Sequence, residues 1–287
     1  MDASYKNLGS LSEYVQENKD IILKDIVFGG EYGQTIPLMT KELGVKGSAK
    51  IHPATITAVL TPWNNECGFN ADSTLEIAEV TVDTEMYKVN LEFCPEKLVG
   101  KFAEYKVRVG ANPDALPFEA EIVDGLVKDI NKQVEQGVWT ALNRLSVTAT
   151  TFDDGATAYD MIMKIYMMMP EEFLEDGIIF VNPTIFREYI KDLVDKNLYH
   201  YNPADGALEE IFIPGAGVKV RKANGIGKTI VGTSPKNMIY ATDFMDNKEE
   251  VKVWYSDDDD VYRVKVKFNY GATYIYPKLV IRGATNR

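Results

Sequence analysis

The most regular hydrophobic pattern in the chain lies between Pro117 and Arg144. Phe118, Ile122, Leu126, Ile130, Val134, Val138 and Leu142 recur every four residues, and Val123, Val127 and Trp139 widen the stripe. This spacing predicts one long amphipathic helix, about 40 Å from end to end. Glu119, Glu121 and Asp124 sit near its start and Arg144 at its end, as the helix dipole favours. A repeat of four residues exceeds the helical 3.6, so the stripe winds round the axis. Its two ends are expected to meet different partners.

Residues 11–26 carry a looser helical stripe of Leu11, Tyr14, Val15, Ile22 and Ile26, set between Met1–Gly9 and Gly29–Gly33, which read as an extended arm. From residue 48 the pattern changes to strands. Thr55–Leu60 reads as a strand and Pro62–Asn70 as a loop. Leu75–Val82 and Tyr87–Phe93 read as two strands joined at Asp83-Thr84. In the last of these, Tyr87, Val89, Leu91 and Phe93 fall on one face and Lys88, Asn90 and Glu92 on the other. Ala156–Met169 predicts a helix with Met161, Ile165 and Met168 inward, and the Met167-Met168-Met169 run suits adaptable packing. Ile178–Val181 predicts a buried strand. It leads into a helix capped by Asn182, with Pro183 at its first position and Phe186, Tyr189, Ile190 and Leu193 on one face. From Ile211 onward the chain reads as almost all β, closing with Glu250–Ser256, an acidic turn, Val261–Asn269 and Ala272–Ile281. The class is α+β.

At 287 residues, with 45% hydrophobic and 26% charged side chains, the chain can bury a core without staples. Cys67 and Cys94 form no C-x-x-C pair and read as reduced thiols of a cytosolic protein. The N-terminus is polar, without the pattern of a signal peptide. No apolar run approaches the roughly 18 residues of a membrane span. The net charge of −12 argues against tight nucleic-acid binding over the whole surface. The charge is uneven, however. Residues 243–260 hold eight acids and two lysines, a net of −6, whereas 261–287 hold six basic residues and no acid, a net of +6.

Several fragments invite a chemical reading. Gly227-Lys228-Thr229 ends like a phosphate-binding loop, but Lys222 stands where the first glycine is needed, and β-branched Thr229-Ile230-Val231 follows where a helix is needed. The bland alternative is a hairpin of strands Val218–Lys222 and Lys228–Val231 about a turn at Ala223–Gly225. His52 and His200 have no nucleophile motif near them. Ser256 and Asp257, Asp258, Asp259 and Asp260 offer oxygens to a hard cation, without the spacing of an EF-hand; a solvated turn is the plain reading. A third reading joins this turn to the strand after it. Arg263, Lys265 and Lys267 alternate with Tyr262, Val264, Val266 and Phe268, giving a basic face and an apolar face. Like charges on one strand face repel unless acids lie opposite. Asp257–Asp260 could supply those acids within the subunit or from a neighbour, which makes these seven residues candidate inter-subunit charge contacts.

The order of elements resembles the major capsid proteins of tailed bacteriophages, the Hong Kong 97 type of shell protein. The resemblance rests on pattern over nearly the whole chain. It rests on "VNLEFCPEKLVGKF", the spine helix "LPFEAEIVDGLVKDINKQVEQGVWTALNR", "GIIFVNPTIFREYIKDLVDKN" and "YRVKVKFNYGATYIYPKLVIRG". It implies an N-terminal arm (1–47), an extended β loop (48–93), a peripheral domain with the spine helix (94–150 and 243–287) and an axial domain (151–242). It further implies a non-enzymatic structural protein without cofactor or metal. Copies would assemble as hexamers and pentamers into an icosahedral shell round phage DNA, contacted non-specifically. Portal and other head proteins, but no membrane, would be partners, and the place would be the virion, after assembly in the host cytoplasm. The long helical scaffolding segment of some members is not seen before the arm, which implies a separate scaffolding protein. Lys46 and Lys50 lie near the loop, but nothing marks a reactive lysine–asparagine pair. Rival readings are an encapsulin-type compartment shell, a phage tail or baseplate component, and a small-molecule enzyme.

Overall fold

The computed structural model describes residues 12, 14–30, 33–60, 73–94, 118–198, 209–243, 250–256, 258–259 and 261–285, with 118–121 and 250 by backbone alone. The long helix is there as α2 (Phe118–Arg144), after α1 (Lys19–Phe28) and before α3 (Ala158–Met168) and α4 (Pro183–Asp195). None of these is long and apolar enough to cross a membrane.

Two sheets organise the chain. One holds β1 (Thr40–Leu43), β12 (Met238–Thr242), β14 (Val261–Tyr274), β13 (Glu250–Ser256) and β6 (Glu85–Phe93). The 14-residue β14 is its backbone. β13 pairs with Val261–Lys267, β12 with Gly271–Tyr274, and β6 with Tyr262–Tyr270, all antiparallel. The other sheet runs β7 (Thr148–Thr151), β15 (Ile281–Ala284), β11 (Thr229–Thr233), β8 (Ile178–Val181), β10 (Lys219–Lys222) and β9 (Glu210–Phe212).

β8 is buried at all four positions and faces two cores. Ile178 and Phe180 join the core under α2, where Trp139 meets Phe180 edge-on at 5.2 Å between ring centroids. Ile179 and Val181 join a second core with Met161, Ile162 and Ile165 of α3 and Ile185, Phe186, Tyr189 and Leu193 of α4. The start of α2 packs elsewhere, with Val123 and Leu126 against Val15 and Ile22 and against Val251 and Val264 of the other sheet. The winding stripe therefore meets a different partner at each end, as its repeat requires.

Several expectations are corrected. The helical stripe read over residues 11–26 is present as α1, while Met1–Gly9 lies outside the described residues. α1 is docked in the main core through Ile22, Leu23, Ile26 and Val27. The turn after it is clamped by α2: Glu135 Oε1 accepts N–H bonds from Gln34, Thr35 and Ile36 at 2.8, 2.7 and 3.0 Å. Trp139 Nε1 donates to Thr35 Oγ1, and Asn131 Nδ2 to the Gly29 carbonyl. The excursion ends at Asp83 rather than 93, because β6 lies along β14. The single strand read over Leu75–Val82 is two, β4 (Thr74–Ile77) and β5 (Val80–Asp83), paired with β3 (Ala54–Thr57) and β2 (Ser48–Ile51). No break falls at Gly271, since β14 runs through to Tyr274. Met168 is 39% exposed and Met169 is buried instead, which puts Met161, Ile165 and Met169 on the inner face at a strict four-residue step. The sheets also cut across a boundary at residues 242 and 243. β12 belongs with β14, and β15 with β11.

Two tests follow from this packing. Gly137 lies in α2 where a Cβ would collide with the Tyr270 hydroxyl, whereas a Cβ at Gly125 would meet nothing. Gly125→Ala should stabilise the protein by up to about 1 kcal/mol through helix propensity, and Gly137→Ala should destabilise it by about 1–3 kcal/mol through overpacking; thermal melting reads both. Glu135→Ala should cost about 3 kcal/mol or more in urea unfolding, because it strips the acceptor from three backbone donors. Glu135→Gln, which keeps a neutral acceptor, should cost less. Equal stability of all three proteins would show that the clamp holds nothing.

Candidate functional site

The loop with Gly227-Lys228-Thr229 joins β10 to β11, and these strands are not a hairpin. β8 lies between them, parallel to β10 and antiparallel to β11. A strand that is apolar on both faces needs a central place in the sheet, and β8 takes it. The loop docks on α2 instead. Ala223 and Ile226 are buried, Asn143 Nδ2 donates to the Ile226 carbonyl at 3.1 Å, and the Asn224 N–H donates to Gln34 Oε1 at 3.0 Å. The exposed Lys228 offers its carbonyl to the Thr285 N–H at 2.7 Å. A strand follows, so no helix N-terminus faces a phosphate here.

His52 is exposed and Cys94 is a half-buried free thiol; His200 and Cys67 lie outside the described residues. So do Asp257 and Asp260 of the acidic turn. Among the described residues no three His, Cys, Asp or Glu side chains are placed to hold a metal ion.

The rest of the charged region is well defined. Tyr262, Val264, Val266 and Phe268 of β14 are buried in the core, and Arg263, Lys265 and Lys267 lie half-buried on the opposite face. Arg263 finds its acids within the subunit. Its Nη2 donates to Asp259 at 2.6 Å, its Nε to Glu92 at 3.0 Å, and its Nη1 to Ser256 Oγ at 3.3 Å. These bonds, from Glu92 first and Asp259 next, hold the guanidinium pKa above its ordinary value. Asp258 is exposed in the same turn. Lys265 stands in register between Asn90 of β6 and Lys252 of β13, and Lys267 between Lys88 and Glu250.

The excursion is the other unusual surface. Among the described residues β2 pairs only with β5, and β3 only with β4. At its base Val45, Val82 and Ala241 form a small core, and the Val45 N–H donates to the Thr242 carbonyl. Further out the apolar side chains have no cover: Ile56 is 72% exposed, Leu60 98%, Leu75 60% and Ile77 66%. The sequence pattern places strands over Thr55–Leu60 and Leu75–Val82, without β2 or the break between β4 and β5, and it hides their exposure, because alternation reads the same whether its apolar face is covered or bare. The polar row Asn131–Glu135–Trp139 also escapes sequence reasoning. Its one signal is the four-residue spacing of two polar groups beside the apolar stripe.

Millimolar ATP with magnesium is expected to leave the melting temperature unchanged, and Lys228→Ala to leave stability and assembly unchanged. A thermal shift with ATP that Lys228→Ala removes would contradict the docked-loop account.

No protein-family model matches the sequence, and no curated protein matches it. Solved structures do resemble the fold. A structure from Microbacterium phage Oxtober96 aligns with a TM-score of 0.55 at 10% identity, covering 89% of this chain and 92% of the other. The virus-like particle from Pyrococcus furiosus aligns at 0.54 and 9% identity, covering 91% and 95%. The capsid of cyanophage P-SCSP1u aligns at 0.53 and 13% identity, covering 87% of each chain. Over these aligned lengths the chain has the fold that these structures share.

Proposed function

We propose that this chain is a major capsid protein, a structural subunit whose copies close into an icosahedral shell round phage DNA. The observation that carries the reading is the excursion. A folded chain that extends two thin ladders with bare Ile56, Leu75 and Ile77 leaves apolar surface that only a partner covers. In a shell that partner is the next copy, and the contact becomes part of an obligate interface. The shared fold supports the same reading.

In this account the two-sheet body is the rigid tile and the excursion is the strap that joins tiles. Copies meet in hexamers and pentamers. A separate scaffolding protein sets the shell's size during assembly in the host cytoplasm, and a portal occupies one vertex of the finished virion. The chain performs no catalysis; its work is the closing of the lattice.

Negative-stain images of purified protein are expected to show closed shells. Ile56→Asp with Leu75→Asp should abolish them while moving the melting temperature of the unassembled subunit little, since exposed positions change stability by about 0.5 kcal/mol or less. Backbone amides of β3 and β4 should exchange rapidly in the subunit and slowly in the shell. Normal shells from the double variant, or equal exchange in both states, would refute the strap.

A further inference from the structure

The edge strands of the two sheets are short or covered, with one exception. β1 and β7 have four residues each and β9 has three. β13 is met by Ser12, whose Oγ donates to the Val253 carbonyl at 3.4 Å. β6 is different. It has nine residues with neither proline nor glycine, and its unbroken register with β14 contains no bulge. Among the described residues it pairs with β14 alone, so its other side presents a row of backbone donors and acceptors. Met86, Tyr87 and Leu91 along it are exposed. A long edge of this kind takes up another strand unless it is shortened, bulged or guarded by charge. The guard here is Lys88, and Glu92 on the same face supplies its complement four residues on.

We propose that two copies of the chain join edge to edge through β6, antiparallel about a twofold axis centred on Asn90. Backbone bonds hold such a pair, and the side chains choose its register. A slip of one residue would turn the apolar row to the wrong face, so Tyr87, Val89, Leu91 and Phe93 must stay together. Charge then selects among the registers that remain. An axis at Lys88 sets that lysine against its own copy, and an axis at Glu92 does the same to the acid. Like charges directly opposite destabilise a sheet. Axes at Val89 or Leu91 leave both charges facing neutral residues. The axis at Asn90 sets Lys88 opposite Glu92 of the second copy, twice by symmetry. It also sets Val89 opposite Leu91 and Tyr87 opposite Phe93. Glu92 meets Arg263 of its own chain through Oε2, which leaves Oε1 for the incoming lysine. A twofold contact uses the same patch on both copies, whereas neighbours in a ring of five or six meet head to tail. In a shell this contact therefore joins one ring to the next. The inference rests on the shell reading for that location alone; the pairing belongs to any two copies.

The test is mild oxidation of the full chain carrying Asn90→Cys, with wild type as the control for Cys67 and Cys94. Residues directly opposite in an antiparallel pair have Cα atoms about 4.5 or 5.5 Å apart, within the roughly 4.4–6.8 Å that a disulfide spans. A covalent dimer is expected on a non-reducing gel. Lys88→Cys should give none above wild type, because its copy lies four residues along the strand, about 14 Å away. Lys191→Cys, exposed on α4, is the control for random collision. Adding Lys88→Glu to Asn90→Cys puts like charges opposite each other at both ends of the contact and should cut the dimer yield about fourfold or more. Lys88 is exposed, so this chain should melt like Asn90→Cys alone, which separates lost pairing from lost folding. No dimer from Asn90→Cys above wild type overturns the inference and leaves the edge to a different strand. Equal yield from Lys88→Cys or Lys191→Cys overturns it too, as does a yield that Lys88→Glu leaves unchanged. Dimers without closed shells in images would sink the shell reading alone. Closed shells without dimers would sink the pairing alone.

Discussion

One buried carboxylate ties the two ends of this structure's logic together. Glu135 sits on the inner side of α2 and takes three consecutive backbone donors, those of Gln34, Thr35 and Ile36, on a single oxygen. Charge-assisted bonds of this kind are stronger than neutral ones, and burying the carboxylate without them carries a heavy penalty. The segment that leads α1 into β1 therefore has one acceptable position. Once it is fixed, α1 lies on the first half of α2, and β1 runs parallel to β12 from Thr40 opposite Ile239. Gln34, in the clamped turn, then receives the Asn224 N–H and so helps place the loop before β11.

The long helix is the second constraint, and it works by shape. β14 sends Tyr270 into the groove of α2 at Gly137, where no side chain fits. The ring stacks with Tyr87 of β6 at 4.5 Å and with Tyr240 of β12 at 6.1 Å between centroids. Burial, the largest influence, pushes its hydroxyl pKa well up. Three strands and the helix are thus registered on one aromatic stack, which accounts for a continuous β14 through a glycine that looks like a turn in the sequence.

Much of this was legible in the residues. The four-residue repeat gave α2 and its change of partner. Asn182 and Pro183 marked the start of α4, and Asn182 Oδ1 does accept the Ile185 N–H at 2.8 Å. The alternation of Arg263, Lys265 and Lys267 with Tyr262, Val264 and Val266 gave the two faces of β14. What failed was pairing at a distance. Val218–Lys222 and Lys228–Val231 are close in sequence and flanked by turn residues, so a hairpin was the local solution. Only the need to bury both faces of Ile178–Val181 inserts β8 between them. Glu135 was hidden for a related reason, since its partners lie about a hundred residues away and are backbone groups that carry no sequence signal.

The placement of β8 has a mechanical consequence. Its odd and even residues belong to different cores, so one layer of backbone is the wall of both compartments. Packed interiors are nearly incompressible, and a wall loaded from both sides cannot bow toward either. The body of the subunit is thus a stiff plate rather than two lobes on a hinge. In the shell proposed above, such plates keep their own shape and the curvature falls at the seams, in the thin ladders β2–β5 and β3–β4.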